Sequence, residues 1–142
     1  MGVFSSLEEA REYFQQDRFA SGSGVELETL SDTECVCSME IGEMHQNAMG
    51  GVMGGALFTL ADFAFAVSSN HAHFPTVAQN VDIHFFNAPK GKRLTAVSSC
   101  LKNGKTTCVY QVVVEDESLQ KVALFLATGF KLTQKQPPSR KA

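Results

Sequence analysis

The spacing of hydrophobic and polar residues changes three times along the chain. In "SLEEAREYFQQDRF" (6–19), Leu7, Ala10 and Phe14 recur at helical spacing, and Ser6 with Glu9 forms a capping-box pair at the start. This predicts a short amphipathic first helix. "GVELETLSDTECVCSMEIG" (24–42) then alternates, with Cys35, Cys37, Met39 and Ile41 set against Val36, Ser38 and Glu40, which is strand periodicity. The turn-rich "GEMHQNAMGG" (42–51) follows. From Ala56 to Val67 the chain is apolar on every helical face, which predicts a helix buried all round. After "HAHFPT" (71–76) the rest reads as four strands: "TVAQNVDIHFFNA", "KRLTAVSSCLK", "KTTCVYQVVVED" and "QKVALFLATGFKL". Asn103-Gly104 between the second and third of these is a hairpin signal.

The order is therefore helix, two strands, one buried helix, four antiparallel strands. A single apolar helix must be wrapped by the sheet, so the expected class is α+β, a curled antiparallel sheet around a central helix. The chain divides into an N-terminal helix packing on the domain (1–18), one domain (19–132) and a polar, two-proline tail expected to be disordered (133–142).

Composition narrows the function classes. The 142 residues are 44% hydrophobic and 19% charged with a net charge of -3, so no nucleic-acid partner is expected. The nearest approach to a basic cluster is Lys90, Lys92, Arg93, Lys102 and Lys105, enough for a small anion such as a nucleotide phosphate. The apolar run is too short to span a bilayer, and "MGVFSSLEEAREYF" lacks the apolar stretch of a secretory signal. Cys35, Cys37, Cys100 and Cys108 lack zinc spacing and read as reduced cysteines. No metal is expected, and His71 with His73 reads as a loop pair. These readings together predict a cytoplasmic chain.

The candidate chemistry lies in "GGVMGGALFTLADFAFAVSS" (50–69). Asp62 is one carboxylate in a segment built for burial, where an unpaired charge costs several kcal/mol. Gly54 and Gly55 fall in the first helical turn, where unpaired N–H groups and the helix dipole favour negative charge and a missing side chain permits close approach. Such a helix end can stabilise an oxyanion. At ~1.5 Å per residue, Gly54 and Asp62 lie ~12 Å apart along one helix. If they serve one site, Asp62 comes from a second copy whose helix runs antiparallel, in a two-fold dimer with two shared sites. Asn47, in the preceding turn, can position a water or a carbonyl, or serve only the turn.

"HQNAMGGVMGGALFTLADFAFA" resembles the signature of the hotdog-fold thioesterases, in the phenylacetate-degradation branch of acyl-CoA thioesterases. The similarity continues through "TVAQNVDIHFFNAPKGKRLTA", "KNGKTTCVYQVVVED" and "KVALFLATGFKL", spanning about residues 20–132. The resemblance implies a hotdog fold and hydrolysis of an acyl-CoA thioester to free acid and coenzyme A. It casts Asp62 as general base or nucleophile, the Gly54 N–H as the donor to the thioester carbonyl, and Asn47 as the residue orienting water or substrate. It implies dimers with shared sites, paired into tetramers, and a polar residue near the start of the third strand, Gln79 or Asn80. Gly55 and Met53 flank the carbonyl site; Met53 stands where the family usually has histidine. An apolar acyl pocket is expected from Phe58, Phe63 and Phe85, and coenzyme A phosphates are expected at the five basic residues. No cofactor is called for, since coenzyme A is part of the substrate. The competing reading is a non-catalytic acyl-CoA-binding protein, with Met53 as its symptom.

Overall fold

Cap chemistry and side-chain alternation set the ends of most elements in the computed structural model, which describes residues 2–135. Helix α1 (Leu7–Phe14) starts at Ser6, whose Oγ accepts from the Glu9 N–H at 3.1 Å. The Glu9 carboxylate reaches the Ser5 N–H at 3.4 Å, one residue earlier than a capping box predicts. A second short helix, α2 (Arg18–Gly22), was not expected from the sequence. Asp17 caps it by accepting from the Ala20 N–H at 3.1 Å. Five residues are too few for helical periodicity to register, and the cap was the one available signal.

The strands are β1 (Val25–Leu30), β2 (Glu34–Glu40), β3 (Thr76–Phe85), β4 (Arg93–Asn103), β5 (Thr107–Glu115) and β6 (Lys121–Lys131). They form one antiparallel sheet in the order β1-β2-β4-β5-β6-β3. The Asn103-Gly104 hairpin forms, with Asn103 opposite Cys108 and the Gly104 N–H bonded to the Thr107 carbonyl at 2.9 Å. Strand β3 is an edge strand of ten residues, with its outer side unpaired among the described residues.

Helix α3 (Gly54–Ala72) lies in the curl of the sheet. Leu57, Leu60, Ala61, Phe63, Ala64, Phe65 and Val67 are buried, as are Cys35, Cys37, Met39, Tyr110, Val112 and Phe125 on the sheet. Each large side chain so buried contributes roughly 1.5–3 kcal/mol. A Cβ on Gly129 would lie 3.1 Å from the Phe65 ring and 2.7 Å from Cys108 Sγ, so this glycine lets the helix approach β6. The helix is not buried all round, contrary to the expectation. Gly55, Thr59, Asp62 and Ala66, spaced four, three and four, stay partly open to solvent on one face. Apolar periodicity could not reveal this, because small residues read as apolar whether or not they meet a neighbour.

In the N-terminal segment Phe14 meets Phe63 of α3 at 5.9 Å, and buried Phe4 stacks on His71 at 6.0 Å. All four cysteines are free thiols. No helix among the described residues is long and apolar enough to cross a membrane. Of the predicted tail, Lys135 still donates to the Phe74 carbonyl at 3.0 Å, and residues 136–142 lie outside the described residues.

Candidate active site

The loop before α3 is braced from both sides. Buried His45 accepts from the Gly42 N–H at Nδ1 (2.9 Å), so its Nε2–H donates to the Ser23 carbonyl (2.7 Å). Its own carbonyl accepts from the Met53 N–H at 2.8 Å, and Gln46 bridges to Val52. Between those anchors Asn47 closes a tight loop. Its Oδ1 accepts from Met49 and Gly51 N–H groups at 2.9 and 3.1 Å, while Gly50 takes the positive φ (84°) the turn requires. Asn47 is thus a turn residue, and its Nδ2 is the polar end left over for a ligand.

Met53 is extended, and its carbonyl accepts from Ala56 and Leu57. Gly54 and Gly55 are therefore the first helical residues, and no acceptor within the described residues takes their N–H groups. No side chain caps this end and no acidic residue stands in the first turn, so the positive pole of the dipole is left uncompensated. The Phe85 ring covers Gly54, with Cζ 3.2 Å from where a Cβ would stand. The Met53 thioether folds over Gly55, with Cε 3.3 Å from the equivalent point. A cleft of about 570 Å³ opens here, bounded by Asn47, Gly54, Leu57, Phe85, Phe86 and Pro89.

Asp62 sits two turns into α3 and does not line that cleft. It is half-buried and has no hydrogen-bond or ion-pair partner among the described residues. Burial pushes its carboxyl above the ordinary aspartate range, and the Asp17 carboxylate adds to the shift. A structural aspartate would have a donor to hold, and none stands beside Asp62 among the described residues.

The other candidates scatter. Phe58 packs on Phe125 (5.4 Å) and Phe85 on Gly54. Phe63 turns the other way, onto Phe14, and lines a separate cavity of about 270 Å³ with Leu27 and Val25. Phe85 and Phe63 therefore line different cavities, and positions 58 and 63 point to different helix faces. Gln79 is the extra residue of a bulge between Ala78 and Asn80 on the β3 edge. Both polar candidates lie five or six residues from Phe85, some 16–20 Å along the strand from the Gly54 they were to serve.

The basic cluster also divides. Arg93 is engaged by Glu28 (3.0 Å) and Glu40 (3.1 Å), which raise its pKa and remove it as a free anion ligand. Lys102 and Lys105 stand at the β4–β5 hairpin, ~30 Å along β4 from Lys90 and Lys92. Lys90 follows Pro89 of the cleft wall, and Lys92 lines a neighbouring cavity that shares Ala88 and Pro89 with it. Their loop is held by Asp116, which accepts from the Lys90 N–H at 2.9 Å, and by Glu117, which accepts from the Lys92 N–H at 2.5 Å. Sequence reasoning missed Asp116, since a single acidic residue after a strand carries no pattern. His71 meets Asp32 at 3.3 Å and the Phe4 N–H at 3.2 Å, while His73 meets the Leu132 carbonyl at 2.8 Å. The pair thus serves separate structural contacts.

Residues 49–123 match the thioesterase superfamily. The acyl-coenzyme A thioesterase PaaI of Escherichia coli is 30% identical over 117 residues, 82% of this chain and 84% of that protein. The solved structure of the E. coli PaaI protein, from the phenylacetic acid degradation operon, superposes with a TM-score of 0.84 at 26% identity. It covers 90% of this chain and 94% of that one. A hypothetical thioesterase from Streptococcus pneumoniae, solved with coenzyme A, gives 0.79 at 25% identity over 86% and 98%.

Proposed function

This chain belongs to the thioesterase superfamily, as a PaaI-like hotdog thioester hydrolase, and from that premise we propose that it cleaves acyl-coenzyme A in sites shared between two copies. The observation that carries the shared site is the separation of its two halves. Gly54, at the helix end whose first N–H groups have no acceptor among the described residues, lines the cleft, while Asp62 lies ~12 Å along the same helix and outside it. An antiparallel second helix brings each half to the other. The coenzyme A held by the pneumococcal neighbour supports the substrate class.

The chemistry follows from these groups. Asp62 takes a proton from water, and the water oxygen adds to the thioester carbon; in the alternative route the carboxylate itself adds, coenzyme A leaves as the thiolate, and water then hydrolyses the resulting mixed anhydride to free acid and Asp62. The carbonyl electrons move to oxygen, and the Gly54 N–H at the positive helix end stabilises that charge. Collapse re-forms the carbonyl, breaks the carbon–sulfur bond and releases coenzyme A as the thiol with the proton taken up by Asp62. Asn47 Nδ2 orients the reactants. Lys90 and Lys92 meet phosphate groups at the cleft wall. Phe58 and Phe85 contact the acyl group, and Gln79 or Asn80 reaches the site of the other copy. Water and the chain's own groups suffice for these steps, and the coenzyme arrives as substrate. The free thiols fit a cytoplasmic setting, and two such dimers pair into a tetramer.

Complementation tests the shared site. Gly54→Pro removes the N–H yet suits a first helical turn that follows extended Met53. Asp62→Ala removes the carboxylate. Each variant alone is expected to be inactive in thiol release from a panel of acyl-CoAs. Co-refolded in equal amounts, they regain about a quarter of wild-type activity, because half the dimers carry one intact site of two. Heterodimers without activity refute shared sites.

A further inference from the structure

The turn between β5 and β6 carries more charge than its own geometry needs. Asp116 closes that turn with one oxygen: Oδ1 accepts from the Ser118 N–H at 2.9 Å, the Ser118 hydroxyl at 2.7 Å and the Gln120 N–H at 3.1 Å. The carbonyl of an asparagine would serve all three donors. What an asparagine could not supply is the second acceptor. Oδ2 reaches across 26 residues of chain and accepts from the Lys90 N–H at 2.9 Å.

Glu117 repeats this contact one step further on. Its Oε1 accepts from the Lys92 N–H at 2.5 Å. Between the two held amides, Gly91 takes a φ of 83°, and a Cβ there would stand 2.7 Å from the same Oε1. Adjacent carboxylates thus hold alternate amides of one loop, and the glycine lets that loop turn against them. Its flanks are fixed as well. Asn87 Nδ2 donates to the Lys121 carbonyl at 2.9 Å, and the Ile41 N–H donates to the Lys92 carbonyl at 2.6 Å.

These bonds orient a loop that carries two ammonium groups. Lys90 and Lys92 are exposed, and neither forms an ion pair among the described residues. The carboxylates answer the loop's backbone instead of its side chains, so both positive charges stay available. Arg93, the next basic residue, is taken by Glu28 and Glu40. Ala88 and Pro89, just before Lys90, form a wall common to the cleft at Gly54 and a cavity of about 410 Å³ lined by Lys92.

We propose that Asp116 and Glu117 are positioning residues for coenzyme A: through the Lys90 and Lys92 amides they hold the loop in the form that presents both ammonium groups to the phosphates of the substrate. This rests on the acyl-CoA reading above and adds the device that orders its phosphate contacts. A loose loop has to be ordered at each binding event, at a cost in affinity. The double latch orders it beforehand, so loss of the latch shows in KM and not in the turnover of bound thioester.

A truncated substrate tests the latch. An acyl-N-acetylcysteamine thioester keeps the reacting carbon and lacks every phosphate. The readout is kcat/KM for acyl-CoA divided by kcat/KM for the truncated thioester of the same acyl group. Lys90→Ala combined with Lys92→Ala is expected to lower that ratio at least about tenfold, the scale of a charge-assisted hydrogen bond. Asp116→Asn keeps an oxygen for the turn and points its amide N–H groups at the Lys90 N–H, so it breaks the latch alone. It is expected to lower the ratio at least about threefold, with the whole change in KM for acyl-CoA. Glu117→Ala, at an exposed side chain, is expected to act in the same direction and carries the test if Asp116→Asn does not fold. Unchanged ratios in the folded carboxylate variants, beside a lowered ratio in the lysine variant, overturn the latch and leave the acyl-CoA reading standing. A loss in kcat with KM unmoved overturns the positioning role. A ratio unmoved by the lysine variant overturns the phosphate contact and the latch together. Absence of thiol release from every acyl-CoA overturns the acyl-CoA reading and the latch with it.

Discussion

Asp62 and Asp116 are two aspartates withdrawn from solvent in opposite ways. Asp116, only 4% exposed, sits in the turn between β5 and β6. It accepts from the Lys90, Ser118 and Gln120 N–H groups at 2.9, 2.9 and 3.1 Å and from the Ser118 hydroxyl at 2.7 Å. Those donors, the Lys90 amide first, hold its carboxyl down at about 2. Asp62 has no donor, and burial moves its carboxyl the other way. The two differ in what replaces water: Asp116 trades it for protein donors and stabilises the fold, whereas Asp62 finds no donor among the described residues. A carboxylate in the second condition is what the proposed role of Asp62 on the thioester would explain.

Replacing Asp62 by Asn is the sharpest way to break this comparison. Turnover should fall at least ~100-fold, the scale of one acid–base group. Stability should move oppositely. A folded pKa raised above the unfolded value means stability that is fully present below the unfolded value, ~3.9, and is lost as pH rises through the folded one. At neutral pH the charged side chain is therefore a burden on the fold, and Asp62→Asn should melt higher than wild type. Retention of more than half the turnover would end the catalytic reading of Asp62.

Asp116→Ala should do the reverse. It leaves four donors unanswered and should lower Tm more than any other substitution here, with turnover reduced only as the Lys90–Lys92 loop loosens. Its pKa is depressed, so its contribution is present above ~3.9 and is lost as pH falls toward about 2. Acid titrations of Tm should show that loss in wild type and not in the variant. An unchanged Tm at neutral pH would mean that the four donors carry no stability.

Met53→His asks a smaller question at the same helix end. One added hydrogen bond near the carbonyl is worth roughly 0.5–1.5 kcal/mol, so the rate should rise a few-fold and at most about tenfold. A stably folded variant with an equal or lower rate would show a site built around methionine. The smallest effect concerns Asp17. Asn keeps the α2 cap but removes the charge that adds to the Asp62 shift. The acidic limb of the pH–rate profile should then move to lower pH with little change in Tm. A stationary limb would exclude Asp17 as an influence on the base.

The elements were legible in the sequence because they rest on local rules. Two-residue alternation in β2, β4, β5 and β6, the apolar run of α3 and the cap at Ser6 each depend on neighbours close in the chain. The glycine pair at the head of α3, its lone carboxylate and the ~12 Å between them were equally readable, since helical rise is fixed by the backbone. Where side chains point across the fold was not. Phe63 turned to α1 and Arg93 to Glu28 and Glu40. Asn47 spent its oxygen on its own loop, and Gln79 became the odd residue of a bulge. Each outcome depends on a partner distant in sequence, or on an edge whose pairing composition does not encode. The sequence by itself determined that Gly54 and Asp62 share one helix and that ~12 Å of helical rise keeps them apart. Only the tertiary structure decided that β3 is an edge strand and that Asp62 has no partner among the described residues, because both are set by what packs beside them.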